Sequence, residues 1–151
     1  MNSLDRKILA ALENDGRLTV TELAERVGLS LSPCHRRVRA LEQSGVIRGY
    51  RAELAPSALG LDFSALVFVT LKESTSVPDF ESAVAQLESV IQAQRLFGDP
   101  DYLLQVVVRD LPAFQRLYDE RLTGLPGVLR MTSTLVMKHV VSNRPLTSAM
   151  E

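Results

Sequence analysis

Two groups of residues in this chain have the types and spacing to do chemistry. Between residues 35 and 51 lie five arginines, Arg36, Arg37, Arg39, Arg48 and Arg51, against one acid, Glu42. Guanidinium at that density suits a polyanion, and in the major groove an arginine can fork onto guanine O6 and N7, a contact that discriminates by about 1–3 kcal/mol. The second group is Gly98-Asp99-Pro100-Asp101-Tyr102, a compact turn sequence carrying two carboxylates. Asp99 with Asp101 could form an acid–base or Mg²⁺ pair, or the two can stabilise the turn, where Asp is a favoured residue.

The arginines must be positioned by the stretch from Thr19 to Leu41. Thr19 and Glu22 have capping-box spacing, Leu23, Ala24 and Val27 recur on one face, and Gly28 can end the helix in a left-handed conformation. A second helix starts at once, with Ser30 or Ser32 to cap it and Pro33 in its first turn. Cys34, Val38 and Leu41 then form an inward stripe, leaving Ser32, His35, Arg36 and Arg39 toward solvent and Arg37 on the flank. Upstream, Leu4, Ile8, Leu9 and Leu12 give a first helix ending near Asp15 and Gly16. Three helices sharing an apolar face predict a helix-turn-helix head, and the lack of interleaved acids favours DNA over a merely solvated helix face.

Overall charge hides this organisation. The whole chain of 151 residues has 17 basic and 18 acidic residues, net −1. Residues 1–51 hold nine Lys/Arg and six Asp/Glu, net +3, and the remaining residues hold eight and twelve, net −4. The split predicts a nucleic-acid head and a body with another task. The one cysteine, Cys34, rules out an intramolecular disulfide, and with only His35 and His139 no metal-ligand spacing recurs, so Cys34 is expected in the core. No signal peptide, apolar run near 18 residues or lipidation motif is visible, which predicts a cytoplasmic protein without membrane attachment.

After a connecting strand or arm over 51–63, the second half alternates element types. Ala65–Lys72 reads as a strand, Phe80, Val84, Leu87 and Ile91 mark a helix, and Ala93–Phe97 and Tyr102–Arg109 form a hairpin. A helix with Phe114, Leu117 and Leu122 runs to Gly124 and Pro126, and Val128–Val141 supplies the last strand. The order is βαββαβ, a ferredoxin-like sheet with helices on one face. Both faces of its first strand are apolar: Ala65, Val67, Val69 and Leu71 on one, Leu66 and Phe68 on the other. Leu103 and Val107 extend the second face, which predicts cover by the same sheet of a second chain, or else by the connecting arm. The tail over 142–151 is expected to fray after about Leu146.

These residues carry a resemblance. LDRKILAALENDGRLTVTELAERVGLSLSPCHRRVRALEQSGVIRGYRAEL, the loop GDPDYLL and the ending LPGVLRMTSTLVMKHV resemble the Lrp/AsnC family of bacterial and archaeal transcription regulators, over the chain up to about Val141. Ser32-Pro33-Cys34 and the segment Val136–Val140 are most similar to its leucine-responsive branch. The resemblance implies an α+β protein: an N-terminal winged helix-turn-helix over 1–50 and a C-terminal ferredoxin-like ligand-binding and oligomerisation domain over 64–141. It implies double-stranded DNA as a partner, dimers assembling into octamers or similar rings, an amino-acid effector bound between dimers, and no cofactor. Carried over, the DNA-facing residues are Ser32, His35, Arg36, Arg37 and Arg39. The effector loop is Gly98, Asp99, Asp101 and Tyr102, where Asp99 or Asp101 would suit the ammonium of an amino acid, with Arg130, Thr132 and Thr134 lining the same pocket from a neighbouring chain. Pro100 departs from the unconstrained residue of many relatives.

The expected function is therefore a sequence-specific DNA-binding transcription regulator whose assembly or DNA affinity a small effector modulates. The alternative is an amino-acid-sensing or architectural DNA-binding protein without effector-controlled switching. An enzyme is disfavoured: no nucleophile stands beside a histidine and no phosphate-binding glycine loop is present.

Overall fold

The structure, a computed structural model, describes residues 1–150 and divides into two compact units, one made of Met1–Glu53 with the segment from Val140 onward, the other of Leu54–His139. In the first, α1 (Ser3–Asn14), α2 (Val20–Val27) and α3 (Leu31–Gln43) enclose a core of Ile8, Leu23, Ala24, Val27, Cys34, Val38 and Leu41. The Thr19–Glu22 capping box is formed, and Gly28 ends α2 at φ 72°. A second capping box, Asn2 with Asp5, opens α1, with polar residues that lie outside the apolar periodicity of the helix. Ser30 takes the N-cap position of α3 in extended conformation, although its hydroxyl makes no capping hydrogen bond.

Of the strand or arm expected over 51–63, the structure has the arm: it contains no strand before Phe63, is exposed, and its only regular feature is a 3₁₀ turn over Pro56–Leu59. The expectation for the tail is corrected, since it does not fray after Leu146. A 3₁₀ turn at Leu146–Ala149 docks on α1, where the Glu13 carboxylate accepts hydrogen bonds from the backbone N–H groups of Leu146 (2.8 Å) and Thr147 (2.9 Å). Asn143 Nδ2 also donates to Glu53 at 3.0 Å. Glu13 thus supplies an acceptor to N–H groups at the start of a helical turn, which have no partner of their own.

The second unit has the βαββαβ order: β1 (Phe63–Leu71), α4 (Val77–Ala85), β2 (Val90–Arg95), β3 (Tyr102–Val108), α5 (Leu111–Leu117) and β4 (Val128–Leu135). The sheet order is β2-β3-β1-β4 with every neighbouring pair antiparallel. Strand alternation sends Ala65, Val67, Val69 and Leu71 of β1 and Tyr102, Leu104, Val106 and Val108 of β3 to one face, where they pack with Phe80, Val84, Phe114 and Leu122. Burying each of the larger of these is worth about 1.5–3 kcal/mol. Leu66, Phe68 and Thr70 of β1 and Leu103 and Val107 of β3 occupy the other face and are only half-buried.

Two boundaries differ from the expected ones. The helix carrying Phe80 ends at Ala85; Leu87 lies in the following turn, and Ile91 belongs to β2 at an irregularity in the β2–β3 register. The last helix reaches Leu122 as expected, its final part a wider turn over Tyr118–Leu122. β4 stops at Leu135 rather than Val141, because its partner β1 begins at Phe63: Val136 N–H still donates to Ser64 O, and beyond it no strand remains to pair.

Candidate functional site

In the first unit the geometry of α3 sorts the arginines. Cys34, Val38 and Leu41 face the core, so the opposite side of the helix presents Ser32, His35, Arg36 and Arg39, all exposed. Arg36 and Arg39 form no ion pair or side-chain hydrogen bond among the described residues. Arg37 behaves differently. Its Nη1 donates to Asp5 Oδ1 at 2.9 Å, and both side chains are largely covered, 34% and 18% exposed. That pair joins α3 to α1 and commits the Arg37 guanidinium within the unit. Cys34 is fully buried, which pushes its thiol pKa up by desolvation. After α3, Tyr50 Oη donates to Glu42 at 2.9 Å, so the one acid of this stretch is engaged, while Arg48 and Arg51 are exposed.

The second unit carries a groove of about 420 Å³ on the half-buried sheet face, lined by Phe68, Thr70, Asp99, Pro100, Arg130, Thr132 and Thr134. The register explains the assembly: Leu66 lies opposite Thr134, Phe68 opposite Thr132 and Thr70 opposite Arg130, and directly opposed residues share a face. Asp99, at the tip of the β2–β3 connection, reaches over this surface. Arg130 Nη2 donates to both its carboxylate oxygens at 3.1 Å, and Thr70 Oγ1 donates to Oδ1 at 2.9 Å. The Asp99 and Arg130 side chains remain 68% and 58% exposed, so an entering molecule can exchange hydrogen bonds with them.

Of the seven expected effector residues, Asp99, Arg130, Thr132 and Thr134 come together here, within a single chain and not across two as expected, because β4 pairs with β1 beside the loop; Gly98 stays in the loop without lining the groove. Asp101 and Tyr102 do not line it. Asp101 Oδ2 accepts from Leu71 N–H at 2.7 Å, its own N–H donates to Val69 O at 2.9 Å, and its carbonyl accepts from Leu96 N–H at 2.7 Å. Asp101 therefore fastens the loop to β1. Tyr102 is the first residue of β3, and alternation turns its ring to the helix side. There the ring lies 4.6 Å from the Phe80 ring and its Oη donates to Glu81 at 2.6 Å. Burial, then the hydrogen bond to Glu81 and its charge, push the phenol pKa up to about 12. Phe68, Thr70 and Pro100 were absent from the expected set. Thr70 carries the readable signal, as the polar residue that follows Leu66 and Phe68 on one face of β1.

The chain matches two family models in order: a winged helix-turn-helix DNA-binding domain at residues 1–48 and the Lrp/AsnC ligand binding domain at residues 64–146. It is 44% identical over 142 residues to the leucine-responsive regulatory protein of Rhizobium meliloti (strain 1021), covering 93% of this chain and 91% of that one. Against the leucine-responsive regulatory protein of Escherichia coli (strain K12) the identity is also 44%, over 149 residues, covering 95% and 90%. Among solved structures, a transcriptional regulator from Neisseria meningitidis in complex with L-Met superposes with a TM-score of 0.92 at 36% identity, covering 99% of each chain. E. coli AsnC superposes with a TM-score of 0.88 at 26% identity, covering 94% of this chain and 95% of that one. With both domains matched in sequence and in fold along nearly the whole length, the chain belongs to the Lrp/AsnC family: it is a DNA-binding transcription regulator with a ligand-binding regulatory domain, not an enzyme.

Proposed function

We propose that this regulator takes up a free amino acid with an apolar side chain in the groove between Asp99 and Arg130, and that occupancy changes how its assembly engages operator DNA through α3. The observation that carries the reading is the Asp99–Arg130 pair, exposed above Phe68. An amino acid presents an ammonium and a carboxylate two bonds apart, and an adjacent carboxylate and guanidinium complement both. Thr70, Thr132 and Thr134 offer further hydroxyls, and Phe68 offers an apolar floor to the ligand's side chain. The leucine-responsive relatives and the relative crystallised with L-Met support this ligand class.

On the DNA side, Ser32, His35, Arg36 and Arg39 form the groove-facing surface, with Arg37 holding α3 in place. The assembly is a dimer or a larger ring. The half-buried face with Leu66, Phe68, Leu103 and Val107 has the apolar character of a surface that a second copy covers. A two-fold dimer presents two recognition helices to half-sites about 34 Å apart. This activity belongs to the cytoplasm, where operator and amino-acid pool meet.

Thermal unfolding against each proteinogenic amino acid tests the ligand, since a molecule that binds only the folded state raises its stability, by about 2.7 kcal/mol at a hundredfold excess over Kd. A subset of apolar amino acids should raise Tm in the wild type, and Asp99→Asn should abolish the shift. An unchanged shift in Asp99→Asn, or no shift with any amino acid, would overturn the assignment of the groove.

A further inference from the structure

We infer that Leu31 reads DNA sequence through an apolar contact, packing its side chain on the 5-methyl group of a thymine in the major groove. The inference rests on α3 being the groove-entering helix, as proposed above. Among the described residues, Leu31 is the one large apolar side chain of α1, α2 and α3 that is exposed, at 52%. Its neighbour Leu29, two residues earlier, packs against the core, and every other large apolar residue of the three helices is buried or half-buried. A lone exposed leucine carries no message at an arbitrary surface position. This one is the first residue of the recognition helix.

Placement gives the residue its role. At 100° per residue Leu31 lies 20° from the buried Val38 and 40° from the exposed His35, so it heads the ridge that continues through His35 and Arg39, four and eight residues on. Recognition helices meet base edges with their N-terminal residues. The side chains there are Leu31, Ser32, His35 and Arg36, all exposed. Ser32, His35 and Arg36 can hydrogen-bond to base edges. Leu31 cannot, and the apolar feature that the major groove offers is the thymine methyl. Cα–Cβ bonds tilt toward the helix N-terminus, so the Leu31 side chain projects ahead of the helix body, toward the groove floor, when α3 enters by that end.

The partner group can be deleted one methyl at a time. Operator duplexes selected from a random pool by the wild-type protein would have each thymine replaced singly by deoxyuridine, which removes the methyl and leaves base pairing intact. Binding would be measured for the wild type, Leu31→Ala, Leu31→Met and Arg36→Ala. A single deoxyuridine at a contacted position of one half-site should weaken the wild type about fourfold, the yield of burying one methyl-sized group. Leu31→Ala should bind thymine and deoxyuridine duplexes equally, and Leu31→Met, which keeps apolar bulk, should retain discrimination. A wild type indifferent to every methyl, or a Leu31→Ala variant that discriminates as the wild type does, overturns the inference. Arg36→Ala separates the two levels: if it binds as tightly as the wild type, the groove reading of α3 has failed, whereas loss of affinity in Arg36→Ala beside a methyl-insensitive wild type removes Leu31 alone.

Discussion

The two units treat charge in opposite ways. Along the exposed side of α3, Arg36 and Arg39 have no acidic partner among the described residues, and the single acid of the stretch, Glu42, is engaged by Tyr50. In the groove of the second unit the guanidinium of Arg130 is neutralised by Asp99 at 3.1 Å. An unneutralised cationic surface attracts a polyanion and releases its counterions on binding. A neutral ion pair at the mouth of a groove has little pull on a polyanion but fits a zwitterion, whose two charges replace the two partners at once. In the proposed reading, the same residue types serve two ligands because one set is left unpaired and the other is not. Arg37, paired with Asp5, shows the contrast within a single helix.

The comparison breaks first, and by the largest margin, at α3. Replacing Arg36 and Arg39 together by alanine should weaken operator binding by about a hundredfold or more, given about 1–3 kcal/mol for each base contact, with the salt dependence of binding reduced and the assembly unchanged. Arg37→Ala should instead lower the Tm of the first unit, because Asp5 is left half-buried without its partner. Equal losses of affinity from all three arginines, without any change in Tm, would erase the distinction between paired and unpaired guanidinium. Anisotropy of a labelled operator across a salt series, with a melting curve for each variant, reads both quantities.

The two loop carboxylates sharpen the comparison at the other site. Asp101→Ala leaves the N–H of Leu71 without its acceptor, which costs about 1–3 kcal/mol, or a few degrees of Tm. Asp99→Ala removes only exposed contacts and should leave Tm within about a degree of the wild type in the absence of effector. Melting curves that rank the two variants the other way would reverse their assigned roles.

This difference between Asp99 and Asp101 marks where the sequence stops being readable. The head was legible because capping, periodicity and a stop at Gly28 are local: Thr19 and Glu22 are about one helical turn apart, and the stripe of Cys34, Val38 and Leu41 spans about two. The βαββαβ order was legible for the same reason. The fate of two acids two residues apart depends on which of them meets the backbone of β1 and which only its Thr70 side chain, and that is fixed by the pairing of β1 with β3, residues about forty apart in sequence. Leu87 and Ile91 continued the helical spacing of Phe80 and Val84, but pairing of Val90–Arg95 with β3 overrode it. The tail was misread because its anchor, Glu13, lies more than a hundred residues away.

The smallest expected effect belongs to that anchor. Burial raises the Glu13 pKa, and hydrogen bonds from the Thr147 hydroxyl, the Thr147 N–H and the Leu146 N–H more than offset it, so the group sits below its ordinary value of 4.5. A depressed carboxylate pKa contributes stability that is present above the unfolded value and lost as pH falls through the folded one. Amide exchange at Leu146 and Thr147 should therefore be slow near neutral pH relative to a freely exposed amide, and should lose that protection as the pH drops below about 4.5, with Glu13→Gln weakening it already near neutrality. Protection independent of both pH and Glu13 would mean that the tail is held by other contacts.

The central claim joins the groove to the operator, and it is tested by measuring operator affinity with and without the stabilising amino acid, for the wild type and for Asp99→Asn. The account predicts that the amino acid changes wild-type affinity by a factor of about 5 to 150, the usual range of allosteric coupling, while Asp99→Asn binds the operator as the wild type does without ligand and ignores the amino acid. If both proteins respond to the amino acid alike, the effector acts elsewhere and the assignment of the groove is wrong.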